Sequence, residues 1–154
     1  MSDELEGGPG WQVDRATLRP RITDLEVFRA DRTDDPYGAE LERLWGEDPA
    51  GAEQMLRQRP QDFRTRALLA DALSAQGRHD EGVAAWRELF DEDRTPARAT
   101  YLQHHLGCAL LAAGRTGEAV DMLRLALLGR AVGSPRALAT TQHALRVAQS
   151  RRGA

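Results

Sequence analysis

Lysine and asparagine are both absent from this 154-residue chain, and all 21 of its basic residues are arginine. Codon usage in a GC-rich genome explains such a bias, but the chemical consequence is the same whatever its origin. Schiff-base catalysis, attachment of pyridoxal phosphate and the lysine of a phosphate-binding loop are excluded. N-glycosylation is excluded too. Cysteine is nearly absent. Cys108 alone cannot form an intrachain disulfide, and zinc ribbons and CxxC redox pairs are ruled out by count. A reducing cytoplasm is the expected compartment. No apolar run approaches about 18 residues, so no membrane span is expected. The acidic, Gly-rich start MSDELEGGPG lacks the basic flank and apolar stretch of a secretory signal. Glycine-rich phosphate loops and nucleophile motifs are also missing.

What is present suits one ordinary domain or a short repeat array. A chain of this length buries roughly 70% of its unfolded surface, so its core needs no covalent staples. Hydrophobic residues make up 41% and charged residues 29%, a globular balance. The net charge of −3 conceals an asymmetry. Residues 1–93 hold 22 acids and 12 arginines, whereas residues 94–154 hold two acids and nine arginines. Such a field attracts an acidic partner or a second copy head to tail, unless both ends are simply solvated.

The chain also repeats itself. LADALSAQGRHDEG (69–82) and LGCALLAAGRTGEA (106–119) lie 37 residues apart and share seven of fourteen aligned residues. In the first copy Phe63, Ala67, Ala70 and Leu73 recur at helical steps, Gly77 supplies a turn, and Val83, Trp86, Leu89 and Phe90 mark a second helix. In the second, Thr95-Pro96 reads as a helix start. Leu102, Leu106, Ala109 and Leu110 form the stripe, Gly114 ends it, and Val120, Leu123 and Leu127 continue from Thr116 or Gly117. Asp35-Pro36 and Asp48-Pro49 bracket a shorter hairpin, and Ser134-Pro135 opens a last helix. No segment alternates at a two-residue period, so no sheet is expected. The expected organisation is an N-terminal arm over residues 1–34, partly flexible and most so over 1–10. A helical domain follows over 35–154, with hairpins at about 36–59, 62–92 and 96–130 and a capping helix at about 135–151. The stretch from Trp11 to Phe28 is too apolar for a linker, and is expected to pack along the array or to dock on a partner.

These residues resemble the tetratricopeptide repeat family, in the form of a small stand-alone bacterial member. Leu106-Gly107, Leu110, Gly114, Ala119, Leu123 and Ala126 carry the resemblance in one copy. Leu69-Ala70, Leu73, Gly77, Gly82, Trp86 and Leu89 carry it in the other. The late proline of the family pattern is missing, with Arg94 and Ala131 in its place. The interval is 37 rather than 34, and the two good copies cover less than half of the chain. The resemblance implies an all-α fold: a short solenoid of antiparallel helix hairpins with a C-terminal capping helix, whose concave groove takes a peptide or a partner's helix. It places Arg64, Ala67, Asp71 and Ala75, then Tyr101, His104, Cys108 and Ala112, in that groove. The last helix adds Leu138, Thr141 and Leu145. The Lys and Asn with which some members clamp a carboxylate are absent, so clamping of that kind is not expected.

The expected function is therefore a non-catalytic module that binds a protein or peptide partner, with self-association alongside and no cofactor. Two alternatives remain. The arginines beyond residue 93 offer nucleic-acid or polyanion binding, although aromatics for stacking are scarce there. His104 and Cys108, one helical turn apart and with His143 nearby in principle, offer a metal-binding or catalytic role. Three ligands fall short of a structural metal site, and Asp71 facing His104 or Tyr101 reads better as a structural hydrogen bond. His105 is expected to cover the helix flank.

Overall fold

A computed structural model describes residues 3–153. The described chain is mostly helical, with eight helices and one small antiparallel sheet. The sheet departs from the expectation of none. Its strands, β1 (Gly7–Gly8), β2 (Trp11–Val13) and β3 (Pro20–Ile22), are too short to show any period in sequence. Trp11 pairs with Ile22 and Val13 with Pro20. The turn before β2 needs Gly10, whose φ of 73° lies in the left-handed region. The turn after it is held by Asp14, whose Oδ1 accepts from the Ala16 and Thr17 amides.

Helix α1 (Leu25–Asp31), which the sequence left unassigned, is capped by Asp24 accepting from the Val27 amide and buries only Phe28. Then come α2 (Gly38–Trp45) and α3 (Pro49–Arg57), α4 (Phe63–Ala75) and α5 (His79–Glu92), α6 (Pro96–Ala112) and α7 (Thr116–Arg130), and finally α8 (Pro135–Arg152). Asp48, Asp62 and Ser134 each cap a helix through the side chain. Pro49, Pro96 and Pro135 are first helical residues, where a missing N–H costs nothing. Gly77 and Gly114 close α4 and α6 at φ of 78° and 79°.

Pro36 does not open a helix. Asp35 accepts from the Tyr37 amide, and α2 begins two residues past the proline. The same carboxylate takes Arg64 at 2.8 Å and Arg32 at 3.1 Å while only 13% exposed. The Arg64 hydrogen bond, with help from the Tyr37 amide and Arg32, holds its pKa down at about 2 against the penalty of burial. A folded-state value below the unfolded one stabilises fully above about pH 4, and that stabilisation is lost as pH falls through about 2. Asp35→Asn is thus expected to cost about 2 kcal/mol at neutral pH and to flatten the acid limb between about pH 4 and 2. Urea midpoints across that range measure both effects.

Each helix from α2 onward packs on the next, and α2 also touches α4 as α6 touches α8. The main core joins Leu102, Leu106 and Leu110 of α6 to Val120 and Leu123 of α7, Val83 and Trp86 of α5, and Ala144 of α8. Gly107 permits that approach, because a Cβ there would sit 2.7 Å from Leu123 Cγ. No helix among the described residues is long and apolar enough to cross a membrane.

Candidate functional site

The segment from residue 3 to 22 lies across the face made by α2, α4, α6 and α8. Its amide at Glu6 donates to Thr140 Oγ1 at 2.8 Å. The Glu6 carboxylate takes Arg130 at 2.9 Å, and Glu4 takes Arg136 at 2.6 Å. Leu5 and Val13 pack on Ala139. The Arg15 carbonyl meets His143 Nε2 at 2.8 Å, and Arg19 reaches Asp71 at 3.2 Å. Acid-rich start and arginine-rich end thus meet within one chain, so part of the charge asymmetry is satisfied internally. Residues 5–22 lie against the helices. The first two residues, also expected to be flexible, lie outside the described residues.

Between arm and helices is a cavity of about 190 Å³. Trp11 comes from the arm, Trp45 from α2 and Trp86 from α5. α4 gives Ala67 and Asp71, and α6 gives Tyr101, His104 and His105. Trp11 and Trp45 have ring centroids 4.8 Å apart, and Trp86 and Tyr101 6.1 Å. Leu18 helps to wall it with a φ of 61°, a conformation that costs a branched residue roughly 1–2 kcal/mol. Packing of Leu18 on the main core offsets that strain. Beyond Leu18, a second cavity of about 230 Å³ is lined by Thr17, Arg19, Cys108 and Ala112, and shares Trp86 and His105 with the first.

The residues expected in the groove divide. Ala67, Asp71, Tyr101 and His104 meet at the first cavity, and Cys108 and Ala112 at the second. Arg64 instead pairs with Asp35 and stacks over the Tyr37 ring at 4.5 Å. Ala75 packs toward Leu44, Ala52 and Ala72. Thr141 is fully buried, its hydroxyl 3.0 Å from His104 Nδ1, and Thr140 is the α8 residue that faces the arm. Leu145 joins the main core. His105, expected on the helix flank, stacks on Trp86 at 4.9 Å and borders both cavities. Nothing in the local pattern marked Glu6, Leu18 or Trp45 as site residues. Trp11 carried a signal, as an aromatic in a stretch too apolar for a linker.

His104 directs Nδ1 at Thr141 and Nε2 at Cys108 Sγ, 3.7 Å away. His143 is engaged by the Arg15 carbonyl instead. Among the described residues no group of three or more His, Cys, Asp or Glu is placed to hold a metal ion. Burial pushes the Cys108 thiol up to about 12, so it stays protonated and is a poor nucleophile. The Tyr101 ring is 36% exposed, but lost hydration among the α4 and α6 side chains, with Asp71 nearby, raises its phenol. No family model matches the chain, and neither a curated protein nor a solved structure matches it.

Burial, aided by Arg130, drives both imidazoles toward the neutral form: His104 well below its ordinary value and His105 down to about 3. The unfolded chain accepts these protons below about pH 6.5 and the folded chain does not, so stability falls as pH drops from there toward 3. His105→Phe keeps a ring against Trp86 and removes one such group. Because His105 is only half-buried, the variant is expected to lose about 1 kcal/mol less than wild type between about pH 6.5 and 4.5. Urea melts at the two pH values give the comparison.

Proposed function

We propose that the chain is a non-catalytic interaction module: a short tetratricopeptide-like array of helix hairpins, capped by α8, whose groove holds an extended polypeptide from a partner protein. The observation that supports it most is that the face of α4, α6 and α8 already carries polypeptide, namely residues 3–22 of the same chain. Hydrogen bonds that use arm backbone at Glu6 and Arg15, ion pairs at both ends and aromatic contacts in between are contacts that a polypeptide ligand can use on such a surface. Self-association belongs to the same reading. Leu128 and Val132, 75% and 94% exposed, lie on and just beyond α7, and an arm that fits its own groove also fits that of a second copy. Action inside the cytoplasm is part of the proposal.

The polyanion alternative draws less support. Arg94, Arg98, Arg115, Arg130 and Arg136, five of the nine arginines beyond residue 93, are drawn into ion pairs with carboxylates.

A labelled peptide spanning residues 3–24 tests the proposal, titrated into wild type and into Gly10→Val, in which a Cβ colliding with the backbone of Asp24 and Phe28 displaces the chain's own arm. Saturable binding to the variant, at least about tenfold weaker to wild type, is expected. Binding to neither, or equally to both, would count against the groove.

A further inference from the structure

All three tryptophans of the chain line a single cavity, the one closed by the arm. Two aromatic pairs face into it, Trp11 with Trp45 and Trp86 with Tyr101, while α4 contributes Asp71 and the arm Glu6. No arginine is among the lining residues. Arg19 and Arg130 hold the two carboxylates from outside the lining. Glu6 accepts Arg130 through Oε1 alone. The Tyr101 hydroxyl and the His105 ring nitrogens make no hydrogen bond among the described residues. The neighbouring imidazoles are neutral at physiological pH and add no positive charge.

Such a lining selects by charge and by size. Aromatic faces carry negative quadrupoles that attract a cation, indole most strongly. Asp71 and Glu6 each meet one arginine through a single oxygen, which leaves the second oxygen of each carboxylate to face a cation. A space of about 190 Å³ lies below the roughly 300 Å³ at which drug-sized pockets begin, which leaves out nucleotides and folded peptide segments. We propose that the cavity binds a small organic ammonium ion, its charge set against Asp71 and Glu6 and its carbon substituents against Trp86, Tyr101 and Trp45. The site exists with the arm in place, so it stands apart from capture of a polypeptide in trans: one can fail without the other.

The chain supplies its own reporter, because every tryptophan sits at the site. Full-length protein is titrated with choline, with ethanolamine, and with 3,3-dimethyl-1-butanol, the uncharged isostere of choline. Tryptophan fluorescence and calorimetry follow the binding. At least one ammonium probe is expected to saturate both signals, with the neutral isostere at least about tenfold weaker. Asp71→Asn and Tyr101→Leu are each expected to weaken binding about fivefold or more. Far-UV circular dichroism shows whether each variant is folded, and Asp71→Glu, which keeps the charge, is expected to bind. The proposal is overturned if neither ammonium probe saturates below about 10 mM. Equal binding of the uncharged isostere overturns it too, as does unchanged affinity in folded Asp71→Asn and Tyr101→Leu.

Discussion

Trp86→Ala is expected to cost the fold about 3–5 kcal/mol, the range for removing a large buried aromatic. Trp86 is only 2% exposed and sits where three parts of the molecule meet. Its ring packs into the main core from α5, stacks on His105 of α6, and closes both cavities beneath the arm. Alanine would join two existing voids rather than open a new one, and the surrounding helices are anchored by Leu102, Leu106 and Leu110, all at most 1% exposed. Little collapse is available to soften the loss. For a chain of this size the melting temperature should drop by about 6–20 °C. Urea unfolding followed at 222 nm measures the change directly. A loss below about 1 kcal/mol would mean that the indole is not packed as described.

Gly10→Val is expected to release the arm while the helices stay folded. Gly10 has a φ of 73°, which a branched side chain resists by roughly 1–2 kcal/mol. A Cβ there would also collide with the Asp24 carbonyl oxygen and lie 2.5 Å from the Phe28 amide nitrogen, both backbone atoms that cannot swing aside. Overpacking of that kind adds about 1–3 kcal/mol. The combined cost, about 2–5 kcal/mol, falls on the turn that sets the arm against α1, and α4 to α8 have their own core. Limited proteolysis should cut the variant before residue 25 and leave the remainder intact, with little loss of helical signal. Resistance of the variant equal to wild type would contradict this.

Helix limits were largely legible because they rest on local chemistry. A polar residue followed by proline marks α3, α6 and α8, and a glycine free to take positive φ ends α4 and α6. Asp35-Pro36 misled because the carboxylate is spent on Tyr37, Arg32 and Arg64, which leaves the helix to start later. The arm was legible only as something apolar that needed a place. Its strands span two or three residues, and the contacts that seat it join Glu6 to Arg130 and to Thr140, 124 and 134 positions away. Local patterning carries no information about such pairs. Part of the site shared that fate: the resemblance to the tetratricopeptide repeat pointed to Asp71, Tyr101 and His104, but Trp45 and Leu18 join them only through the folded arm. On α8 the helical phase differs by one residue, which turns Thr140 to the arm and Thr141 to His104.

Amide hydrogen exchange over residues 5–24 tests most directly whether the arm is seated on the helices. The Glu6 amide donates to Thr140, and those of Val13, Asp14 and Thr23 donate to arm carbonyls. These four should be protected in wild type and lose that protection in Gly10→Val, while α6 and α7 stay protected in both. Exchange of residues 5–24 in wild type at the rate of an open chain would contradict the seated arm, and with it the cavity beneath it and the proposed groove.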